Sequence, residues 1–336
     1  MKKLSCILMA LCIAFLTVGA AGAESLPEIV GTYAAGDITL EVNAQVYDYG
    51  VTEASSYIAT PAAFNADELI AFFWPDADAE EVARTKRLVN EYMVKDGLSC
   101  PSEIYEYDGG SLHVGYNTGM ALFIARELTE WYTEGKPDTW IDTKIEETEC
   151  TAPIDPSILD SLVSILGVSY ELAPVHSYGV CEYKESGETF TYNVYNYAIM
   201  IDGLYCGNQG YWTALSKEDL FVPAQYLEVI TNENGLLQFH ICLYDVTGGE
   251  EFQTIMPCEE AIEYLREELS WYIANDTVSI RSILLEYVMI PIPGSTLKFQ
   301  YVPAWKFQTA ETAWRPYLHL EGRVFRFNAV TGDLIE

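Results

Sequence analysis

Hydrophobic and polar residues alternate along much of this chain, and the alternation is broken by a few stretches of helical spacing. Ile38 to Tyr47 reads ITLEVNAQVY, one side apolar and the other polar, with Ser56 to Ala62 as a partner strand. Asn65 is an N-cap for a short helix through Leu69 and Phe73, Glu68 completes a capping box, and Pro75 ends it. Asp76 or Asp78 caps a second helix, expected to run to Val94 with Val82, Leu88, Val89 and Tyr92 as its apolar positions. Ile104 to Tyr107 and Leu112 to Tyr116 flank Asp108-Gly-Gly, a hairpin signature. Ala121 to Trp131 reads as helix.

Past an acidic run around Glu146, the pattern resumes. Asp155-Pro-Ser157 opens a helix carrying Ile158, Leu162, Ile165 and Leu166, closed by Gly167. Strands follow at Tyr178 to Tyr183 and Phe190 to Ile201. A hairpin then turns at Asn232-Glu-Asn-Gly235. Pro257 starts the strongest amphipathic helix, with Ile262, Leu265, Leu269 and Tyr272 on one stripe and Glu259, Glu260, Glu263 and Glu267 opposite. Val278 to Ile290, Leu297 to Phe307 and Arg323 to Val330 are extended. The expected fold class is α+β, with antiparallel sheets each packed by amphipathic helices. Helix 157–166 with its strands and helix 258–274 with its own suggest a duplicated helix–sheet unit in the C-terminal half.

The N-terminus has another character. Lys2 and Lys3 precede an apolar run from Leu4 to Val18, and Gly19-Ala-Ala-Gly-Ala23 ends it. Ala21 and Ala23 before Glu24 fit signal-peptidase cleavage, so residues 1–23 are read as a secretory signal peptide. The expected organisation is then a signal peptide at 1–23, an α+β domain at 24–150 and a second at 151–336. Cleavage leaves 313 residues with no membrane span, and the product is expected to be secreted or held at the cell surface.

Composition narrows the partners. Removing Lys2 and Lys3 from 18 basic residues leaves 16 against 50 acidic ones, a net charge of −34. That field repels nucleic acid, anionic lipid and anionic wall polymers, and it suits a basic partner patch. Cys100, Cys150, Cys181, Cys206, Cys242 and Cys258 remain, an even number that permits disulfides; buried thiols are the alternative in a chain of this size.

Catalytic and cofactor motifs are missing from the sequence. His113, His176, His240 and His319 fall on separate segments without HExxH or Cys/His spacing, and no CxxC, GxSxG, P-loop or dinucleotide loop occurs. Asp76-x-Asp78-x-Glu80-Glu81 begins like a calcium loop, but Glu81 stands where glycine is needed and Arg87 where a bidentate glutamate is needed, so it reads as a helix start. No cofactor, metal or catalytic residue is therefore assigned. Tyr178, Tyr183, Tyr192, Tyr195 and Tyr197 crowd one hairpin, where cross-strand packing competes with a ligand-gripping row. Trp305, after Pro303, reads as a core tryptophan.

The order of Pro257-Cys-Glu-Glu-Ala-Ile-Glu-Tyr-Leu-Arg-Glu-Glu-Leu269, Ile283-Leu-Leu-Glu-Tyr287, Val302-Pro-Ala-Trp305 and Phe327-Asn-Ala-Val-Thr-Gly332 resembles the extracytoplasmic domains of YycH- and YycI-type two-component-system regulatory proteins of Gram-positive bacteria. It is also similar to PepSY-type modules and to uncharacterised exported Firmicutes proteins. The resemblance covers 255–336, extends weakly over 155–250 and leaves out 24–150. It implies a non-catalytic domain that contacts another protein outside the membrane, and it transfers no functional residue. This chain departs from the type, because cleavage after Ala23 removes the membrane anchor. The function expected is an exported binding or regulatory protein acting on a protein or envelope (glycan) partner. The alternatives are a secreted two-carboxylate hydrolase of glycosidase type, or an inhibitor or chaperone of a secreted protease.

Overall fold

Period-two alternation wins over helical spacing at most places where the two compete. The structure is a computed structural model that describes residues 26–47, 50–94, 98–116, 118–133, 144–151, 153–154, 156–166, 171–207, 213–214, 221–222, 226–272, 276–295, 298–310 and 324–335. The expected cleavage site at Ala21, Ala23 and Glu24 lies outside these residues, as does His319. Strands hold 58% of the described residues and helices 18%, which overturns the expectation of a helix-packed α+β fold: the protein is mostly β. The described parts fall into two compact units interleaved in sequence, Met1–Gly50, Ile262–Leu284 and Phe307–Phe325 in one, and Val51–Ala261, Leu285–Lys306 and Arg326–Glu336 in the other.

In the smaller unit, β1 (Glu28–Ala35) pairs antiparallel with β2 (Ile38–Tyr47), and β2 pairs in parallel with residues 277–284 of β17 (Thr277–Pro291). Every second residue of β2 is buried, from Ile38 to Val46. The helix Cys258–Ser270 (α5) buries Ile262, Leu265 and Leu269, as its stripe requires. Its end meets the β1–β2 turn at Gly36, where φ is +61° and a Cβ would stand 3.0 Å from the Ser270 carbonyl oxygen. Only glycine fits that turn without strain.

The larger unit is built on a nine-strand sheet whose neighbouring pairs are all antiparallel. In spatial order it runs β4 (Arg87–Val94), β5 (Leu98–Tyr107), β6 (Gly110–Gly115), β7 (Met120–Ile124), β15 (Gly235–Cys242), β14 (Tyr226–Asn232), β10 (Thr189–Ile201), β9 (Glu171–Tyr183) and β8 (Lys144–Thr148). A second ladder sets β3 (Glu53–Pro61) between β16 (Tyr244–Thr254) and β18 (Phe299–Thr309). β11 (Leu204–Cys206) extends from β10 and runs parallel to Glu286 and Tyr287 of β17. β12 (Thr213–Ala214) pairs with β13 (Phe221–Val222), and β19 (Val324–Asn328) closes the chain.

Two expected helices change identity. The helix predicted to reach Val94 stops at Arg84: α2 (Ala79–Arg84) keeps its Asp78 cap, and β4 takes over to pair with β5. The segment expected to be helical from Ala121 starts as β7, held on both sides by β6 and β15, and only then becomes α3 (Arg126–Thr133). A five-residue apolar run fits either a buried strand or a helix, and pairing on both edges decides. The helices at Ala66–Phe73 (α1) and Pro156–Leu166 (α4) form as read, with the Asn65 side chain accepting from the Asp67 amide and donating to Glu68. The proposed duplication fails on topology. The strands after α4, β9 and β10, are antiparallel neighbours, whereas β17 after α5 enters parallel pairings. Among the described residues, no helix is long and apolar enough to cross a membrane.

Trp305 is a core residue, as expected: it is 1% exposed and its indole N–H donates to the Met256 carbonyl at 2.9 Å. Trp305→Ala removes both the ring and this bond, so unfolding in urea should show a loss of about 3–5 kcal/mol. Trp305→Phe, which keeps most of the volume, should lose about half of that.

Candidate functional site

Strict alternation gives the nine-strand sheet two different faces. Leu112, Phe123, Phe239, Val229 and Leu227 are buried on one. There α1 contributes Phe73, stacked on Phe123 at 4.2 Å with the rings 2° from parallel and set 5.6 Å from Phe239. The other face is half-buried and carries polar groups in register. His113 lies opposite Leu122, Leu122 opposite His240, His240 opposite Glu228, Glu228 opposite Asn196, and Asn196 opposite His176. Directly opposed residues share a face. Three histidines that look scattered in the sequence therefore stand in one line across six strands. Nothing in the linear spacing reveals this; only the pairing does.

The middle of the line is chemically perturbed. Tyr226 shares a hydrogen bond with the His240 ring, 3.0 Å from Nδ1, and their rings meet edge to face. Burial, with a smaller contribution from His113, pushes the His240 pKa down to about 4. Burial raises that of Glu228, although Gln238 donates to its carboxylate at 3.0 Å and opposes the shift. Neighbouring groups whose proton affinities have moved in opposite directions mark a place of functional interest. Among the described residues, no group of three His, Cys, Asp or Glu side chains is placed to hold a metal.

Two concavities flank the sheet. The first is an open groove of about 760 Å³ walled by Phe73, Trp74 and Tyr107, with Asp76, Glu81, Glu106 and Asp108 among its lining. Trp74 caps α1 and meets Tyr107 edge to face at 5.8 Å. Asp76 comes from the turn before α2 and Glu81 from its first turn. Asp108, at φ +46°, turns the β5–β6 hairpin anticipated from Asp-Gly-Gly. Glu106 pairs with Arg87, and Asp108 with Arg126 at 3.3 Å. The Asp/Glu run that fails as a calcium loop thus supplies the groove with carboxylates and α2 with its cap.

The second is a cavity of about 410 Å³ where β9 and β10 shift register between Asn196 and Tyr197. Cys150, Thr151, His176, Asn196, Tyr195 and Tyr197 are among its lining. Cys150 Sγ is 3.8 Å from the Tyr195 hydroxyl, and Thr151 donates both its amide and its hydroxyl to Asn193 Oδ1. The crowded tyrosines of this hairpin divide by face. Tyr195 and Tyr197 are buried against the cavity, while Tyr192 reaches a buried acid.

That acid is Glu182, fully buried on β9. It accepts from Trp131 Nε1 at 2.7 Å and from the Tyr132 and Tyr192 hydroxyls at 2.6 Å each. Lys184 lies over the Trp131 ring at 4.2 Å, and Trp131 stacks on Phe190. Glu103 and Glu286 are handled in the same way. Glu103 meets Lys86 and Tyr105, and Glu286 meets Arg326 at 2.7 Å and Lys306 at 3.5 Å. Burial alone would raise Glu103, but Lys86, Tyr105 and Tyr116 together hold it below the usual carboxylate range. These buried acids are engaged by donors and cations of the fold itself and hold structure together.

No family model matches the chain, and no curated protein matches it. Among solved structures, it is similar to an uncharacterised protein from Eubacterium rectale ATCC 33656, at 11% identity over 88% of this chain and 90% of that one, with a TM-score of 0.56. At that identity the likeness shows a shared fold. YycH from Bacillus subtilis is a weak structural neighbour, at 9% identity, 82% and 95% coverage and a TM-score of 0.22, too distant to carry an argument.

The His240–Glu228 pair gives stability a defined pH response. The folded-state pKa of His240 lies below its unfolded value of about 6.5, so the unfolded chain takes up the proton first. His240 therefore withdraws stability as pH falls from about 6.5 towards 4. Glu228, raised in the folded state, works the other way: its contribution is largest in acid and is lost as pH rises through its folded pKa. His240→Gln should flatten the acid-side decline of the unfolding free energy, measured by urea titration, by on the order of 2 kcal/mol, and Glu228→Gln should make the decline steeper.

Proposed function

We propose that this chain is an exported, non-catalytic binding protein that engages a basic segment of a protein partner outside the membrane. The observation that carries the reading is the acidic–aromatic groove. Three aromatic side chains and four carboxylates share one open concavity of about 760 Å³. Lysine and arginine side chains satisfy both halves of such a surface, the charge against the acids and the stem or guanidinium against the rings. The net charge of −32 steers a cationic partner towards it. Export is supported by the pattern of residues 1–23. A non-catalytic role is supported by the engagement of Glu106 and Asp108 by arginines and by the structural use of the buried acids.

The same groove favours one other reading, a secreted polysaccharide hydrolase using two of the lining carboxylates beside an aromatic platform. Isothermal titration with a lysine/arginine-rich peptide separates the two. Binding should weaken about tenfold in Trp74→Ala and in an Asp76→Asn/Glu81→Gln double variant, and it should weaken again as salt rises to about 0.5 M. Equal affinity for an acidic peptide would overturn the binding reading. Polysaccharide hydrolysis lost on a single carboxylate substitution in the groove would establish the hydrolase.

A further inference from the structure

The cavity at the β9–β10 register shift differs in chemistry from the rest of the molecule. One residue in five of this chain is charged, and acids dominate. Yet no carboxylate, ammonium or guanidinium occurs among the described residues that line this cavity. Its walls combine Tyr195 and Tyr197, 4% and 8% exposed, with the polar residues Asn196, Ser177, Thr151 and His176. The register shift places the extra residue on β9, between Pro174 and His176, and both of these line the cavity beside β10. His176, paired with Asn196, stacks on Tyr178 at 5.0 Å.

We propose that this cavity is a binding site for a neutral saccharide ring. A sugar presents patches of C–H surface that pack on aromatic side chains and a belt of hydroxyls that need uncharged donors and acceptors. A charged sugar would have to lose its hydration with no carboxylate, ammonium or guanidinium among the described lining residues to offset it. An apolar peptide side chain would draw nothing from the polar residues of the lining. The volume of about 410 Å³ falls within the range of small-ligand pockets. The proposal is independent of the acidic groove and stands whether or not that groove binds a basic segment.

Cys150 lines the cavity and reports on its occupancy. Cys181, which is also half-buried, is not among the lining residues and serves as the internal control. The experiment measures site-resolved alkylation of both thiols in the full chain, by mass spectrometry, with glucose, galactose, N-acetylglucosamine, glucuronate or a neutral proline-rich peptide added. Saturation-transfer NMR on the same mixtures gives a second readout that does not depend on thiol reactivity. At a concentration about nine times its Kd, at least one neutral sugar should slow Cys150 alkylation about tenfold, leave Cys181 unchanged and show saturation transfer. His176→Ala, at an exposed position, should weaken both effects. The proposal is overturned if no neutral sugar gives either signal, or if glucuronate or the peptide protects Cys150 better than the neutral sugars do.

Discussion

The register of β15 between β14 and β7 is the constraint on which the larger unit depends. Phe239 and Ile241 point to one side of that strand, and Gln238 and His240 to the other. A slip of one residue would bring an imidazole against Phe73 and expose a phenylalanine, and the partners on both edges would have to follow. The ring stack of Phe73 on Phe123 and the Tyr226–His240 contact penalise that slip from opposite faces at once. Core and polar line are thus two readings of a single pairing, and the concavities at its margins inherit their positions from it.

A second requirement concerns charge. A chain with so many carboxylates cannot keep all of them in water while building wide sheets. Glu103, Glu182 and Glu286 go inside, each met by donors of the fold: an ammonium and a phenol at Glu103, an indole and two phenols among the partners of Glu182, and a guanidinium and an ammonium at Glu286. Truncating any of these partners would strand a buried charge, which costs far more than the pair contributes. The acids that line the groove stand in water, where such compensation is not required.

Much of the local structure is legible in the sequence, and most of the assembly is not. The Asn65 and Asp78 caps, the Asp108-Gly-Gly hairpin, the hairpin closed by Gly235 and the core role of Trp305 all follow from residue chemistry within a few positions. The helix expected to run to Val94 fails because Leu88, Val89 and Tyr92 fit a strand as well as a helix stripe, and antiparallel pairing with β5, which begins at Leu98, decides between them. β16 escapes the pattern because Gly248 and Gly249, at φ +99° and +83°, sit inside a bulge that breaks the alternation. The polar line, the groove and the neutral cavity all join residues tens of positions apart. No spacing rule links His113 to His240 or Thr151 to Asn193; strand pairings supply the first connection and the Asn193 side chain the second.

None of the five cysteines Cys150, Cys181, Cys206, Cys242 and Cys258 is in a disulfide, and the last three are buried with thiols that burial makes markedly less acidic. Such sulfurs hold almost no thiolate at neutral pH and offer oxidants little to attack. The architecture therefore carries no electron-exchange dependence at these positions. Around these five cysteines the shape would persist across an oxygen gradient, held by apolar burial and not by covalent stapling.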